Sequence, residues 1–169
     1  PTEPLAASDN PVQRYEAFMP ATSGRARAGV GSMGLPQAGL MPVEGVVSSE
    51  FGWRTHPISG KRRFHEGMDI AAPTGTEIRA VQTGTVRFAG SKGGYGNVVE
   101  LEHHDGTITR YAHASRVHVR PGDKIEVGES IADVGQTGHA TGPHLHFQVE
   151  RAGQPIDPVD YLTALRANR

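Results

Sequence analysis

Short runs of strand-forming residues, separated by glycine and proline, constrain the fold of this chain more than any other feature. Such runs recur at residues 46–48, 77–81, 84–88, 97–101, 107–111, 124–127, 130–134 and 144–150. The 169 residues include 22 glycines and 12 prolines, and no long stretch shows helical periodicity. Turn signals at Asp105-Gly106 and Pro121-Gly122-Asp123 separate neighbouring runs. The pattern predicts an all-β domain, either a sandwich or a barrel.

The two ends of the chain differ from this strand-rich part. Residues 1–42 contain six prolines and few β-branched residues, so they bury too little apolar surface to order themselves. We therefore expect a flexible N-terminal extension or linker over 1–42 and one domain over 43–169. Near the other end, Asp157-Pro158 combines an N-cap residue with proline at the first helical position. This predicts one short C-terminal helix.

Composition excludes several classes of partner and site. The net charge of −1 and the sequence pI near 6.9 provide no basic surface for nucleic acid, so we exclude nucleic acid as a partner. The chain has no cysteine, so any metal must be held by histidine or carboxylate side chains. No apolar stretch approaches the roughly 20 residues that span a bilayer, and no signal pattern opens the sequence. Neither observation excludes export.

Histidine and aspartate occur in two distant segments with spacings that suit a metal site. His144 and His146 are two residues apart, and alternate residues of a strand point to the same face. His65 and Asp69 are four apart, and the glycines and proline within 67–75 favour an extended segment that also places both on one side. Two imidazoles and one carboxylate suit catalytic Zn²⁺, which keeps a fourth position for water. Any single histidine could be an ordinary surface residue, but the two clusters together predict a metal site.

Further motifs accompany these clusters along the chain. They are Ser49-Glu50-Phe51-Gly52-Trp53-Arg54, His56-Pro57, Phe64-His65-Glu66-Gly67-Met68-Asp69-Ile70-Ala71, Gly94-Tyr95-Gly96-Asn97, Tyr111-Ala112-His113, Gly122-Asp123-Lys124-Ile125 and the residues from Gly135 to Phe147. With these motifs the chain resembles, over most of residues 44–162, the LytM or lysostaphin-type zinc metallopeptidases, which cut peptides of bacterial cell-wall peptidoglycan. The resemblance implies a barrel-sandwich hybrid of antiparallel sheets with an open groove and one Zn²⁺ per chain.

The resemblance also implies roles for individual residues. The metal ligands would be His65, Asp69 and His146, and the catalytic histidines would be His113 and His144. Five further residues are candidates for substrate contact: Arg54, Tyr95, Asn97, Tyr111 and His139. Core packing remains an alternative for Tyr111, and a solvated loop position remains one for His139. His56, His103 and His118 are interpreted as structural.

The implied function is a zinc-dependent endopeptidase that hydrolyses peptide bonds of peptidoglycan stems or cross-links. A metal-activated water would attack the carbonyl, and two histidines outside the metal shell would move protons. The alternative is a non-enzymatic LytM-like regulator that binds and activates other cell-wall hydrolases, although the full set of ligands and histidines favours the enzyme. A biotinyl or lipoyl carrier domain is rejected, because no lysine stands at a suitable hairpin tip. Since peptidoglycan lies outside the cytoplasmic membrane, we expect a periplasmic or extracellular, wall-associated protein.

The sequence leaves specificity and regulation open. Family members cut glycine bridges or links of D-alanine and diaminopimelate, and we favour the stem-peptide cross-link. Residues 1–42 could dock on or occlude the groove and hold an enzyme latent. Lys61-Arg62-Arg63 could attract an anionic wall polymer, but most charge runs are solvated faces. A regulatory or anchoring partner stays unidentified.

Overall fold

A computed structural model describes residues 40–167, and strands form nearly half of this part of the chain. The strands are β1 (Val46–Ser49), β2 (Gly52–Thr55), β3 (Arg62–His65), β4 (Met68–Ala71), β5 (Glu77–Arg79), β6 (Gly84–Ser91), β7 (Asn97–Glu102), β8 (Ile108–Val117), β9 (Lys124–Ile125), β10 (Ser130–Val134), β11 (His144–Arg151) and β12 (Gln154–Ile156). A 3₁₀ turn occupies Gly93–Tyr95, and helix α1 spans Pro158–Ala167. The prediction of an all-β fold with a short C-terminal helix is confirmed.

The strands form one large antiparallel sheet and a separate two-stranded hairpin. In the ten-stranded sheet the order is β1-β4-β11-β8-β7-β6-β9, with β10 paired to β5 and β8 and β12 paired to β11. Strands β2 and β3 form the hairpin. Strand β11 lies between β4 and β8, so that His146 stands opposite Asp69 on one side and Ala112 on the other. Residues that are distant in sequence therefore become neighbours across the sheet.

Strand β11 is buried on both faces and joins the core to the groove. Leu145, Phe147 and Val149 are fully buried and pack in the main hydrophobic cluster with Met68 and Ile70 of β4. Burying a side chain of this size contributes roughly 1.5–3 kcal/mol. The alternate residues of β11 carry polar side chains on the opposite face. The apolar residues of β11 thus anchor a strand whose other face carries imidazoles.

The residues just before β1 belong to the packed domain. The carbonyl of Pro42 accepts a hydrogen bond of 2.8 Å from the backbone N–H of Arg79, and Val43 is buried. Met41 packs against the same core. Most of the expected extension, residues 1–39, lies outside the described residues. Its docking on the groove stays a prediction.

Helix α1 begins at the position that the sequence predicted. The backbone N–H of Val159 donates a hydrogen bond of 2.9 Å to Oδ1 of Asp157, which caps the first turn. Tyr161 and Leu162 then pack against the core. Within residues 40–167, no helix combines the length and apolar character needed to cross a membrane.

Candidate active site

An open groove with a volume of about 790 Å³ separates the β2–β3 hairpin from one face of the large sheet. The sheet side contributes Asp69, His113, His144 and His146. The hairpin side contributes His65 and a row of aromatic and cationic side chains. The two histidine clusters of the sequence therefore meet in a single groove.

Three ligand-type side chains converge in this groove. His65, Asp69 and His146 each offer one ligand atom, and these atoms lie within 4.8 Å of one another. Nδ1 of His146 is 2.8 Å from Oδ1 of Asp69, and Nε2 of His65 is 3.4 Å from Oδ2 of the same carboxylate. Two imidazoles and one carboxylate are a donor set that suits Zn²⁺. The arrangement can hold a metal ion.

Gly67 keeps space open beside this cluster. A Cβ atom built on Gly67 would lie 2.8 Å from Nε2 of His146 and 2.6 Å from the carbonyl oxygen of Phe147. Both contacts are closer than Cβ atoms approach in proteins, so a larger residue would displace the imidazole or the backbone of β11. The turn before β4 therefore has a steric reason for glycine.

Asp69 is held in its ionised form. Burial of the carboxyl raises its pKa, but hydrogen bonds with His146 and His65 and the charges of these two residues have the opposite effect and prevail. The pKa of Asp69 therefore lies well below its ordinary value. Because a carboxylate binds a metal only when it is deprotonated, Asp69 is ready to act as a ligand at neutral pH.

Contacts on the far side of the His65 ring fix its orientation. Nδ1 of His65 is 2.9 Å from the carbonyl oxygen of Glu50 and 3.3 Å from Oγ of Ser49. A carbonyl can only accept, so Nδ1 carries a proton, and Nε2 faces Asp69 as the nitrogen that can bind a metal once it is deprotonated. Nη1 of Arg54 donates to the same Ser49 hydroxyl at 2.6 Å. The β2–β3 hairpin thus sets the direction of one candidate ligand.

Gln148 performs the equivalent function for His146. Its Oε1 is 3.0 Å from Nε2 of His146, and its Nε2 donates to Oε2 of Glu150 at 3.1 Å. The contact with Glu150 fixes which end of the amide is the oxygen, so Nε2 of His146 must donate the proton. This leaves Nδ1 of His146 facing Asp69 as the nitrogen that can bind a metal once it is deprotonated. Gln148 is not among the site residues predicted from the sequence, although it continues the alternation of His144 and His146 along β11.

His113 and His144 form a second imidazole pair beside the three ligand-type residues. Their ring centroids are 4.7 Å apart. Nδ1 of His113 donates to the carbonyl oxygen of Thr137 at 2.7 Å, and Nδ1 of His144 donates to that of Gly142 at 2.9 Å. In each neutral ring Nε2 is then a proton acceptor. The pair can accept and return protons within the groove.

His113 is neutral in this environment. Burial lowers its pKa to about 4, and the nearby charges of His144 and His146 act in the same direction. The hydrogen bond to the carbonyl of Thr137 opposes this shift but is outweighed. Nε2 of His113 is therefore unprotonated at neutral pH.

The sequence matches are consistent with this geometry. Residues 63–158 match the family model described as Peptidase family M23. The chain belongs to peptidase family M23. The matched residues include both groups of histidines, whereas strands β1 and β2 precede the match.

Individual relatives of this M23 chain include peptidases. The DD-carboxypeptidase/endopeptidase Mpg of Neisseria meningitidis is 49% identical over 113 residues, which are 67% of this chain and 26% of the relative. The Lipoprotein NlpD/LppB homolog of Pseudomonas aeruginosa is 38% identical over 136 residues, 75% of this chain and 45% of the relative. A crystal structure of a zinc containing peptidase from Vibrio cholerae superposes with a TM-score of 0.67 at 32% identity, covering 74% of this chain and 40% of that chain. The M23 chain spans less than half the length of either curated relative.

A β-bulge brings His113 into the groove of the M23 domain. Strict alternation would place Tyr111 and His113 on one face of β8. Instead Tyr111 pairs with Val99 and Ala114 pairs with Asn97, so two residues of β8 stand opposite one residue of β7. His113 has a φ of 66°, in the left-handed region that non-glycine residues seldom adopt. The bulge separates the face of His113 from that of Tyr111.

The structure does not place two of the predicted substrate contacts, Tyr111 and Asn97, in the groove. Tyr111 is fully buried, and its hydroxyl accepts hydrogen bonds from the hydroxyl of Thr109 and the backbone N–H of Val81 at 2.9 and 3.2 Å. Asn97 does not line the groove, and its Nδ2 donates to the carbonyl of Ala114 at 3.1 Å. The first side chain stabilises the core, and the second stabilises the pairing next to the bulge.

The other three predicted contacts, Arg54, Tyr95 and His139, do line the groove. His56 also lines the groove. Its Nδ1 accepts hydrogen bonds from backbone N–H groups of the hairpin turn, so the residue has a structural contact as well. The run Lys61–Arg63, for which a solvated face is the favoured interpretation of the sequence, also lines the groove. The roles of these residues towards substrate remain predictions.

Proposed function

We propose that this chain is a zinc-dependent endopeptidase that hydrolyses peptide bonds in the stems or cross-links of peptidoglycan. The main support is the convergence of the His65, Asp69 and His146 ligand atoms with the His113 and His144 pair in one groove. Membership of family M23 and the similarity to Mpg, a DD-carboxypeptidase/endopeptidase, support the same reaction class.

The proposed metal ligands are His65, Asp69 and His146, with one Zn²⁺ per chain. When bound, Zn²⁺ supplies a Lewis acid that polarises a carbonyl group and lowers the pKa of water. The chain supplies an anionic carboxylate and two imidazoles whose outer nitrogens are engaged by Glu50 and Gln148. The similar Vibrio cholerae structure is described as a zinc containing peptidase, which supports the choice of metal.

The proposed catalytic residues are His113 and His144. Carbonyl oxygens of Thr137 and Gly142 hold their Nδ1 protons, so each Nε2 can take a proton from water or give one to a leaving amine. The rings are close enough that burial and mutual repulsion disfavour two positive charges at once. One ring can therefore hold a proton while the other accepts one. We assign the two steps to the pair jointly.

The substrate implies the compartment. Peptidoglycan lies outside the cytoplasmic membrane, so we propose a periplasmic or wall-associated location. The name of one relative, a lipoprotein, agrees with such a location. Arg54, Tyr95 and His139 are proposed to contact the substrate peptide, since all three line the groove.

Digestion of purified peptidoglycan tests the proposal. Zinc-loaded protein should release peptide fragments from sacculi with stem-peptide or glycine cross-links, identified by mass. A chelator should abolish the release, and added zinc should restore it. Failure to bind one zinc per chain would contradict the metal assignment. Tight zinc binding without release from either sacculus would favour the alternative, a regulator that activates other wall hydrolases.

A further inference from the structure

The groove has a charge of opposite sign to that of the chain. The whole sequence has a net charge of −1, whereas the groove is lined by Arg54, Lys61, Arg62 and Arg63 against the two carboxylates of Glu50 and Asp69. All four cations belong to the β2–β3 hairpin or its turn. One wall of the groove is therefore cationic, and Asp69 is already occupied with the candidate metal ligands.

Two of these cations face each other across the hairpin. Arg54 of β2 pairs directly with Arg63 of β3. Arg63 is two residues from His65, so the arginine pair lies on the strand face that also carries this candidate ligand. Like charges directly opposite in an antiparallel pair are destabilising. A negative group bound between them would relieve that repulsion.

The arginine pair lacks the carboxylate partners that satisfy other arginines of the domain. Arg54 donates to the hydroxyl of Ser49, but no ion pair between residues 40–167 joins Arg54 or Arg63 to a carboxylate. Arg110 shows the contrast, since it lies between Glu100 and Glu150 at 2.8 and 2.7 Å. The charge of the hairpin pair is thus available to a ligand.

The third arginine of the hairpin is engaged differently. The guanidinium of Arg62 lies 4.4 Å from the centre of the Trp53 ring, a cation–π contact. Arg62 alternates with Arg63 along β3, and Trp53 alternates with Arg54 along β2, so this contact occupies the other face of the hairpin. The two faces have separate chemistry, and only the arginine pair shares the face of His65.

We propose that Arg54 and Arg63 bind a free carboxylate of the substrate peptide and so make the groove selective for anionic peptides. A guanidinium binds a carboxylate through two parallel hydrogen bonds, and two adjacent guanidiniums compensate the charge of one carboxylate fully. Stem peptides that contain diaminopimelate keep free carboxylates beside the cross-link, whereas a glycine bridge has none along its length. The inference rests on the proposed peptide substrate and selects the stem-peptide cross-link over the glycine bridge.

Peptide binding tests the inference without requiring hydrolysis. The probes are a diaminopimelate-containing stem peptide and the same peptide with its carboxylates amidated. Isothermal titration calorimetry measures both affinities, and the fluorescence of Trp53, the only tryptophan of the chain and the neighbour of Arg54 in β2, provides a second signal. The wild-type protein should bind the free acid about tenfold more tightly than the amide, and added salt should reduce the difference.

Variants identify the residues responsible. Arg63→Gln should remove the preference for the acid, and Arg63→Lys should retain part of it because the charge remains. Arg120→Gln removes the same charge from an exposed position outside the groove and should leave the preference unchanged. Thermal unfolding verifies that each variant is folded, as expected for exposed side chains.

The outcomes separate this inference from the proposed function. Equal binding of the two peptides by wild type, or an unchanged preference in Arg63→Gln, would overturn the inference. Hydrolysis of both sacculi without a preference for the acid would keep the enzyme and reject the arginine pair. A clear preference for the acid in a protein that releases no fragments would keep the arginine pair and reject the enzyme.

Discussion

The two walls of the groove differ in how firmly they are held. On the sheet wall Asp69, His113, His144 and His146 are each no more than 9% exposed, and the paired strands β4, β11 and β8 fix their backbones. On the hairpin wall Trp53 is 61% exposed, and within residues 40–167 strands β2 and β3 pair only with each other. The comparison indicates that the proposed proton-transfer residues and two of the three proposed metal ligands belong to a rigid surface, whereas the arginines proposed to contact the peptide belong to an accessible one.

The hairpin nevertheless has its own attachment to the domain. An isolated two-stranded hairpin is marginally stable in water. Phe64 packs edge-to-face with Phe51 and with Trp53, at centroid distances of 5.1 and 5.3 Å, and each such pair contributes about 0.5–1.5 kcal/mol. The hydrogen bond of His65 to the Glu50 carbonyl adds a polar connection. Substitution of the exposed side chains of the hairpin should therefore leave the sheet wall undisturbed.

The largest expected effect comes from the sheet wall, in the variant His113→Ala. This imidazole has a proton-accepting nitrogen beside the candidate ligands but is not one of them. Removing it should lower kcat/KM on a peptidoglycan peptide by roughly 100- to 10,000-fold while zinc stoichiometry stays at one per chain. Steady-state kinetics with metal analysis of the same sample measures both quantities.

His118→Ala is the matched control for that variant. His118 is exposed and pairs with Asp133 at 3.0 Å, outside the groove. It should keep wild-type kinetics. If His113→Ala lost zinc as well as activity, His113 would be contributing to the metal site, and the division of roles between the two groups of histidines would be wrong.

A smaller effect is expected behind the ligands, in Gln148→Leu. Without the amide oxygen, Nε2 of His146 loses the acceptor that directs its other nitrogen to Asp69. Zinc affinity should fall by roughly 10- to 100-fold, as measured by competition with a chromophoric chelator. Gln148→Glu keeps an acceptor oxygen and should bind zinc more tightly than Gln148→Leu. Equal affinities in the two variants would show that the hydrogen bond to His146 is unimportant.

The smallest effect is expected at the tip of the hairpin. Ile58 is 90% exposed, so Ile58→Ser removes almost no buried surface. The free energy of unfolding should change by less than about 0.5 kcal/mol, measured by urea denaturation. A loss well above that value would mean that the tip packs on the domain in solution, and the contrast between the walls would then be weaker than the structure indicates.

Local patterns predicted the elements of this fold well. The alternation of apolar and polar residues correctly placed His144 and His146 on one face of β11, and Asp157-Pro158 marked the start of α1. These features depend only on residues adjacent in sequence, whose geometry within a strand or a helix start is fixed by the backbone. The same is true of the turn at Asp105-Gly106, where Gly106 adopts a positive φ of 87°.

The alternation rule failed where a neighbouring strand controls the register. It grouped Tyr111 with His113, but the bulge opposite β7 turns the first to the core and the second to the groove. A bulge is defined by two strands together, so the sequence of β8 alone contains no sign of it. Alternation along β11 predicts that Gln148 lies on the same face as His146. The hydrogen bonds that continue from Gln148 to Glu150 and from Glu150 to Arg110 form a network, and Arg110 joins it from β8 only in the folded sheet.

The sequence by itself determined the all-β character of the domain and the chemical types of the ligands, because hydrophobic periodicity, turn residues and donor atoms are properties of short segments. Tertiary structure alone decided three relations. Asp69 stands opposite His146, the bulge in β8 turns His113 towards the groove, and two arginines face each other across the hairpin. These relations join residues up to 77 positions apart, and only strand pairing fixes which of them meet.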